Sequence, residues 1–206
     1  MRTEMVRFRR TAAVGIGLAL TAALAACSSG SGAEGTPGNN QTQPPATSQA
    51  VSVPTIANPK NAAAMDVCKL LPSEAATELG MKSNGERHSN KLKPSLPDNC
   101  TWESPEGGST KVSLTAIDDR SLQVYYENSS QYVDFGKLRI AGYPAVRANG
   151  NDPMEGGSCA IFMATQQDQI AKAFAAVPAA GTGKANPCDL SKKALKLSVS
   201  SWPAAK

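Results

Sequence analysis

The chain has 206 residues, with 21 Lys and Arg against 17 Asp and Glu, a formal charge of +4. Its densest basic spots, Lys91-Leu92-Lys93 and Lys192-Lys193, fall far short of a nucleic-acid footprint, so no nucleic-acid partner is expected. Arg2, Arg7, Arg9 and Arg10 against Glu4 account for most of the net charge and leave the rest of the chain close to neutral, which argues against charge-driven docking to an acidic surface.

That basic start leads into an uncharged small and apolar run from Thr11 to Ala26. The run is short for a membrane span, which needs roughly 20 residues, and has the form of a secretory signal. Its exit, Leu24-Ala25-Ala26-Cys27, resembles the bacterial lipobox, in which the cysteine is acylated and the preceding peptide removed. An ordinary signal peptidase site is the alternative, since Ala23 and Ala25 also fit an Ala-x-Ala pattern. The expectation is a signal peptide over 1–26 and a lipidated Cys27 that anchors the chain to the extracytoplasmic face of a cell membrane, with two or more acyl chains such as palmitate. Residues 27–60, rich in Ser, Gly, Pro and Gln, read as a disordered tether. A single domain is expected over 61–206, of a size that supports one core.

With Cys27 assigned to lipid, Cys68, Cys100, Cys159 and Cys188 remain. An even count in an exported chain reads as two disulfides with three possible connectivities. Cys68–Cys100 with Cys159–Cys188 closes two loops of about 30 residues each. Cys100–Cys159 with Cys68–Cys188 would instead clamp two strands and tie the domain's ends. We favour the first. No CxxC spacing indicates a redox or zinc site, and no metal or cofactor is expected.

Within the domain, Leu71, Ala75 and Leu79 recur every fourth residue after Pro72 and end at Gly80, which predicts a helix from about 69–72 to 80. The polar stretch 82–99, with Pro94 and Pro97, is expected to be a loop. Strands are expected at 100–103 and at 110–117, where Val112, Leu114 and Ala116 alternate with Lys111, Ser113 and Thr115. Leu122 to Tyr126 is a short apolar and aromatic stretch of open state, and Tyr132 to Phe135 is expected to be a helix end or a loop. Leu138–Ile140 and Ala145–Ala148 flank Gly142-Tyr143-Pro144, expected to be a turn, and Cys159–Ala164 reads as a central strand with both faces covered. Asp168–Val177 is expected to be a helix on the spacing of Ile170, Phe174 and Val177. A second closing helix opens on Asn186 as N-cap and Pro187 as its first residue. The expected fold is α+β: an antiparallel sheet of about five strands, covered on one face by two or three helices and stapled by two disulfides.

Chemistry is sparse. A Ser-His-Asp or Cys-His set must run through His88, the sole histidine, in a polar stretch without a nucleophile motif. Asp118-Asp119 read as turn residues, since adjacent strand residues face opposite ways. Trp102 beside Cys100 is expected to pack over a disulfide, and Trp202 to dock the last helix. Tyr125, Tyr126, Tyr132 and Phe135 form the aromatic cluster that could line a binding groove.

Asp66-Val67-Cys68-Lys69-Leu70-Leu71, Cys100-Thr101-Trp102, Gly142-Tyr143-Pro144-Ala145, the Cys159 strand and Asn186-Pro187-Cys188-Asp189-Leu190 resemble, in order and spacing, the actinobacterial lipoprotein family known as domain of unknown function 3558. Two departures are Val67, where Pro is usual, and Lys192-Lys193 in a helix that is usually richer in Ala. The resemblance implies an actinobacterial cell envelope and an α+β domain, with no established activity and no site residues to carry over. A looser likeness to extracellular sensor domains of actinobacterial kinases is at the level of fold. The function expected is a non-enzymatic binding or sensor-like domain for a small envelope ligand or an envelope protein. The alternatives are a structural or accessory envelope protein and, behind it, a hydrolase.

Overall fold

The structure, a computed structural model, describes residues 53–89, 91, 93, 95–105, 107 and 110–206. The expected signal, Cys27 and most of the expected tether lie outside the described residues. Seven antiparallel strands form one sheet: β1 (Glu86–His88), β2 (Asn99–Glu103), β3 (Lys111–Ile117), β4 (Asp134–Ile140), β5 (Tyr143–Asn149), β6 (Ser158–Ala164) and β7 (Ile170–Ala176), in the order β1-β2-β3-β7-β6-β5-β4. Two meanders, β1–β3 and β4–β7, meet where β3 pairs with β7 over their full lengths. Four α-helices accompany them: α1 (Ser73–Glu78), α2 (Gln123–Glu127), α3 (Pro153–Gly156) and α4 (Pro187–Ser198). Among the described residues no helix is long and apolar enough to cross a membrane.

The expectation of about five strands and two or three helices on one face is therefore corrected. The segment expected to be a helix, Asp168–Val177, is strand β7. Ile170 and Phe174 are four apart and so share a side in either conformation, while Ala171, Ala173 and Ala175 are buried on the other side, a period of two. These three alanines lie beneath α4 and belong to the main core with its Ala194 and Leu195. Their small side chains let the helix approach the sheet closely. Burial thus overrides the helical preference of alanine. β1 lies inside the expected loop 82–99 as a short polar edge strand, exposed along its length and so without apolar periodicity to announce it. The turn expected at Gly142-Tyr143-Pro144 is tighter: Ala141 and Gly142, both at positive φ, make it, and Tyr143 and Pro144 already pair with Ile140 and Arg139.

The main core lies between the sheet and α1 and α4, around Leu70, Leu71, Leu114, Ile161, Met163 and Leu195, each worth roughly 1.5–3 kcal/mol of burial. Asn186 caps α4, its side chain accepting from Cys188 N at 2.9 Å, with Pro187 at the first turn. The stripe that α4 buries is Cys188, Ser191, Ala194, Leu195 and Ser198. Two disulfides staple this layer to the sheet, Cys68–Cys100 at β2 and Cys159–Cys188 between β6 and α4, the pairing favoured from the sequence. Trp202 is buried and donates its indole N–H to Leu70 O at 2.8 Å. Asn61 N donates to Pro203 O at 2.9 Å, so the chain leading into the domain pairs with the chain leaving it. Tyr143 Oη donates to Asn58 O at 2.6 Å, and Val53 and Ile56 pack on the sheet's other face.

Among the described residues that other face is covered only at one end, and this cover also departs from the one-face expectation. Leu122, Tyr125 and Tyr126, on and beside α2, pack there with Val146, Ala148, Phe162, Ala164 and Ile170 as a second, smaller core.

Candidate functional site

Strand register dictates what stands on the uncovered part of that second face. His88, Asn99, Thr115, Lys172 and Phe162 form one cross-sheet row, and Glu86, Thr101, Ser113, Phe174 and Ala160 form the next. Residues of alternate parity point to α4 and α1; these point away from them. Beyond the edge of the second core, Asn99, Ser113, Thr115, Lys172 and Phe174 line an open groove of about 190 Å³.

Lys172 is the unusual member. Its Nζ lies 5.8 Å from the Phe162 ring centroid and 5.7 Å from that of Phe174, within cation–π range of both. Among the described residues it has no hydrogen bond and no carboxylate partner. The side chain is half-buried, and that burial pushes its pKa below the usual lysine value, because desolvation penalises the ammonium. Thr115, its partner in register on β3, is half-buried and likewise without a hydrogen bond among the described residues. Around them the other polar groups satisfy one another. The Thr101 and Ser113 hydroxyls are 2.7 Å apart, and Thr101 Oγ1 donates to Asn99 Oδ1 at 3.3 Å. On the same face Lys111 and Glu103 form an ion pair at 2.7 Å.

The four aromatic residues singled out from the sequence do come together. Tyr125 and Tyr132 have centroids 6.2 Å apart, Tyr132 and Phe135 6.3 Å, and Tyr126 and Phe135 6.5 Å. Tyr125 stacks on Phe162 at 4.2 Å, and Lys137 Nζ lies 4.3 Å from the Tyr126 centroid. Tyr125 and Tyr126 are buried in the second core. Burial raises the pKa of both phenols, opposed at Tyr125 by the hydrogen bond and charge of Arg120. Their rings pack, and the open groove lies next to them on the far side of Phe162.

Other clusters have structural explanations. Asp118, Asp119 and Asp168 share a cleft of about 410 Å³ with Asn61, Gln166 and Gln169. Its centre is the buried Gln169, whose Nε2 donates to Asp118 Oδ1 at 2.7 Å and Asn61 Oδ1 at 3.1 Å, and whose Oε1 accepts from Ala62 N at 2.8 Å and Thr165 Oγ1 at 2.9 Å. Asp119 sits at φ +54°, a turn conformation that aspartate tolerates. Asp134, Cys159 and Cys188 lie within 4.8 Å of one another at their ligand atoms. The two sulfurs are bonded to each other and have no thiolate to offer a metal. The Asp134 carboxylate is instead occupied by Arg147 Nε, at 2.7 Å to each oxygen, and by Asn149 Nδ2 at 2.8 Å. His88 is exposed on β1, three strands from Lys172 in the same row.

Neither Lys172 nor Thr115 was marked as functional by the sequence. The signal was a lysine inside the otherwise apolar Ile170–Ala176 run, visible only once that run is recognised as a strand.

The sequence matches the family described as "Protein of unknown function (DUF3558)" over residues 22–201. None of the curated proteins matches. A crystal structure from Bacteroides thetaiotaomicron VPI-5482, at 1.50 Å resolution, is similar at 9% identity with a TM-score of 0.38. The match covers 61% of this chain and 44% of that one, so the present chain spans less than half of its length. A likeness at that level supports no conclusion about fold or function.

Proposed function

We propose, from the premise that the chain belongs to the DUF3558 family, that this protein is an exported, lipid-anchored binding domain of an actinobacterial cell envelope. In this reading Cys27 carries the lipid, the Ser/Gly/Pro/Gln-rich stretch spaces the domain from the membrane, and the open half of the sheet holds a small envelope ligand. The uncovered groove around Lys172 carries the proposal. Among the described residues, a half-buried ammonium flanked by two rings, beside a hydroxyl without a hydrogen bond, is costly to keep. Export is supported by two disulfides, which persist in oxidising compartments, and by the lipobox-like Leu24-Ala25-Ala26-Cys27. No catalytic role is assigned. Among the described residues the single imidazole, His88, is exposed and far from the groove.

Two measurements test this reading. Cys27→Ala should move the protein from the membrane fraction to the soluble fraction, and unchanged partitioning would rule out the anchor. Protein purified from its native host should release a small molecule on denaturation, detected by mass spectrometry. Repeated recovery of protein with nothing bound would remove the support for a ligand.

A further inference from the structure

We propose that the Lys172 groove is a carboxylate subsite, and that the ligand it takes is a small monocarboxylate whose apolar body lies against Phe174. This rests on the binding-domain reading and names the ligand class.

The donors come first. Lys172 and Thr115 are cross-strand partners on β7 and β3, so their side chains rise side by side from the same face, about 5 Å apart at Cβ. Neither makes a hydrogen bond or an ion pair among the described residues. An ammonium and a hydroxyl borne by one cross-strand pair can address the two oxygens of one carboxylate, the ammonium supplying a charge-assisted bond.

Charge then narrows the class. No carboxylate occupies the positions around Lys172: its row neighbours are Thr115 and Phe162, its strand neighbours on this face Ile170 and Phe174, and its diagonals Ser113, Ile117, Ala160 and Ala164. Further out on this face, Glu86 stands on the outer strand and Glu103 is paired with Lys111. A single uncompensated cation matches a single negative charge. A phosphate dianion would call for a second cation, and the other basic side chains of this row, His88 on one side and Lys137 on the other, each stand three strands away, about 14 Å by strand spacing.

Size and polarity fix the rest. The groove volume, about 190 Å³, falls below the roughly 300 Å³ at which ligand pockets begin and limits the ligand to a compact molecule or one part of a larger one. Phe174, half-buried on the groove wall, offers the apolar and aromatic surface on which such a body would rest.

The test uses the full-length protein in detergent with sodium benzoate as probe, benzamide as its uncharged counterpart and inorganic phosphate as competitor. Binding is followed by amide chemical shifts and by thermal unfolding. Benzoate is expected to shift the amides of Thr115, Lys172 and Phe174 saturably and to raise the unfolding temperature, with benzamide doing neither. Lys172→Met should weaken benzoate at least about tenfold, the scale of one lost charge-assisted hydrogen bond, and Thr115→Ala severalfold, both in proteins that unfold at or near the wild-type temperature. The proposal is overturned by equal binding of benzoate and benzamide, by undiminished benzoate binding in Lys172→Met, by displacement with phosphate at or below the benzoate concentration, or by no saturable binding. If the natively purified protein releases a neutral compound that Lys172→Met still retains, the binding domain stands and the carboxylate class falls. If it releases nothing and benzoate does not saturate, both readings fall.

Discussion

Gly85 lies directly against the Trp102 indole: a Cβ built on it falls 2.6 Å from Trp102 Cε2 and equally close to Cys100 Sγ. The indole is 1% exposed, and its N–H finds no acceptor among the described residues. The ring is therefore held by shape and by the Cys68–Cys100 disulfide beside it. Neither neighbour is the free end of a flexible side chain, so a methyl at position 85 must displace the disulfide, the ring or the backbone. Gly85→Ala is expected to cost about 1–3 kcal/mol, or a fall of several degrees in unfolding temperature at this size. Thermal unfolding within a degree of wild type would contradict this packing.

The Cys159–Cys188 bridge ties α4 to β6 across a sequence separation of 29 residues, and the chain-entropy model assigns such a loop about 3–4 kcal/mol. Cys159→Ala with Cys188→Ala should lower stability by that order. Because the sulfurs are bonded, the Asp134–Cys159–Cys188 cluster should be indifferent to metal. A chelator is expected to leave the unfolding temperature unchanged while a reductant lowers it. A fall caused by the chelator alone would mean that the thiols hold an ion.

Asp134 is the hub beside that bridge. Its side chain is 13% exposed and binds Arg147 and Asn149 at once, while Asn149 Oδ1 accepts from Ala160 N at 2.7 Å. The network thereby fastens β4 to β5 and β5 to β6. Asp134→Ala strands a partly buried guanidinium and an amide, at a cost of about 1–3 kcal/mol. In urea the midpoint should fall with the slope unchanged, because no additional surface is exposed in the variant's transition. An Asp134/Arg147 double variant should lose less than the sum of the single losses.

Legibility in the sequence followed how local each decision was. α4 announced itself through Asn186-Pro187, where the cap and the first turn use neighbouring residues, and β3 through its alternation. Counting gave two disulfides once Cys27 was set aside, but it left three connectivities, and only a preference for two short loops pointed to the observed one. β7 did not announce itself, since Ile170 and Phe174 fit either period and the alanines between them favour helix when taken alone. Only the need for small side chains beneath α4 decides it, and that is a tertiary fact. The aromatic quartet was legible as a cluster, but its burial depends on Phe162 and Val146 from distant strands. The groove was the least legible part. Asn99, Thr115 and Lys172 come from three segments brought into one row by register, and misassigning β7 hid the one that carries charge.

Lys172 also has a signature in the absence of ligand. Its burial depresses the pKa of the folded form below the unfolded value, which is near 10.4. Below the folded pKa both states are protonated, and the desolvation cost counts fully against folding. Between the two values the folded state has shed a proton that the unfolded state keeps, so stability rises with pH until the ordinary lysine range is passed. Lys172→Met lacks both the cost and the rise. It is expected to be more stable than wild type at neutral pH, by about 1 kcal/mol or less, with the difference shrinking as pH climbs toward 10. Tyr125, Tyr126 and Tyr143, whose pKa values burial raises, titrate in the same alkaline region with the opposite sign. They are common to both proteins, so the difference between them isolates Lys172. Chemical denaturation of the pair across pH 7 to 10 checks this. A variant less stable than wild type throughout would mean that the ammonium stabilises the fold through its two rings, and that the groove keeps its charge for structure instead of for a ligand.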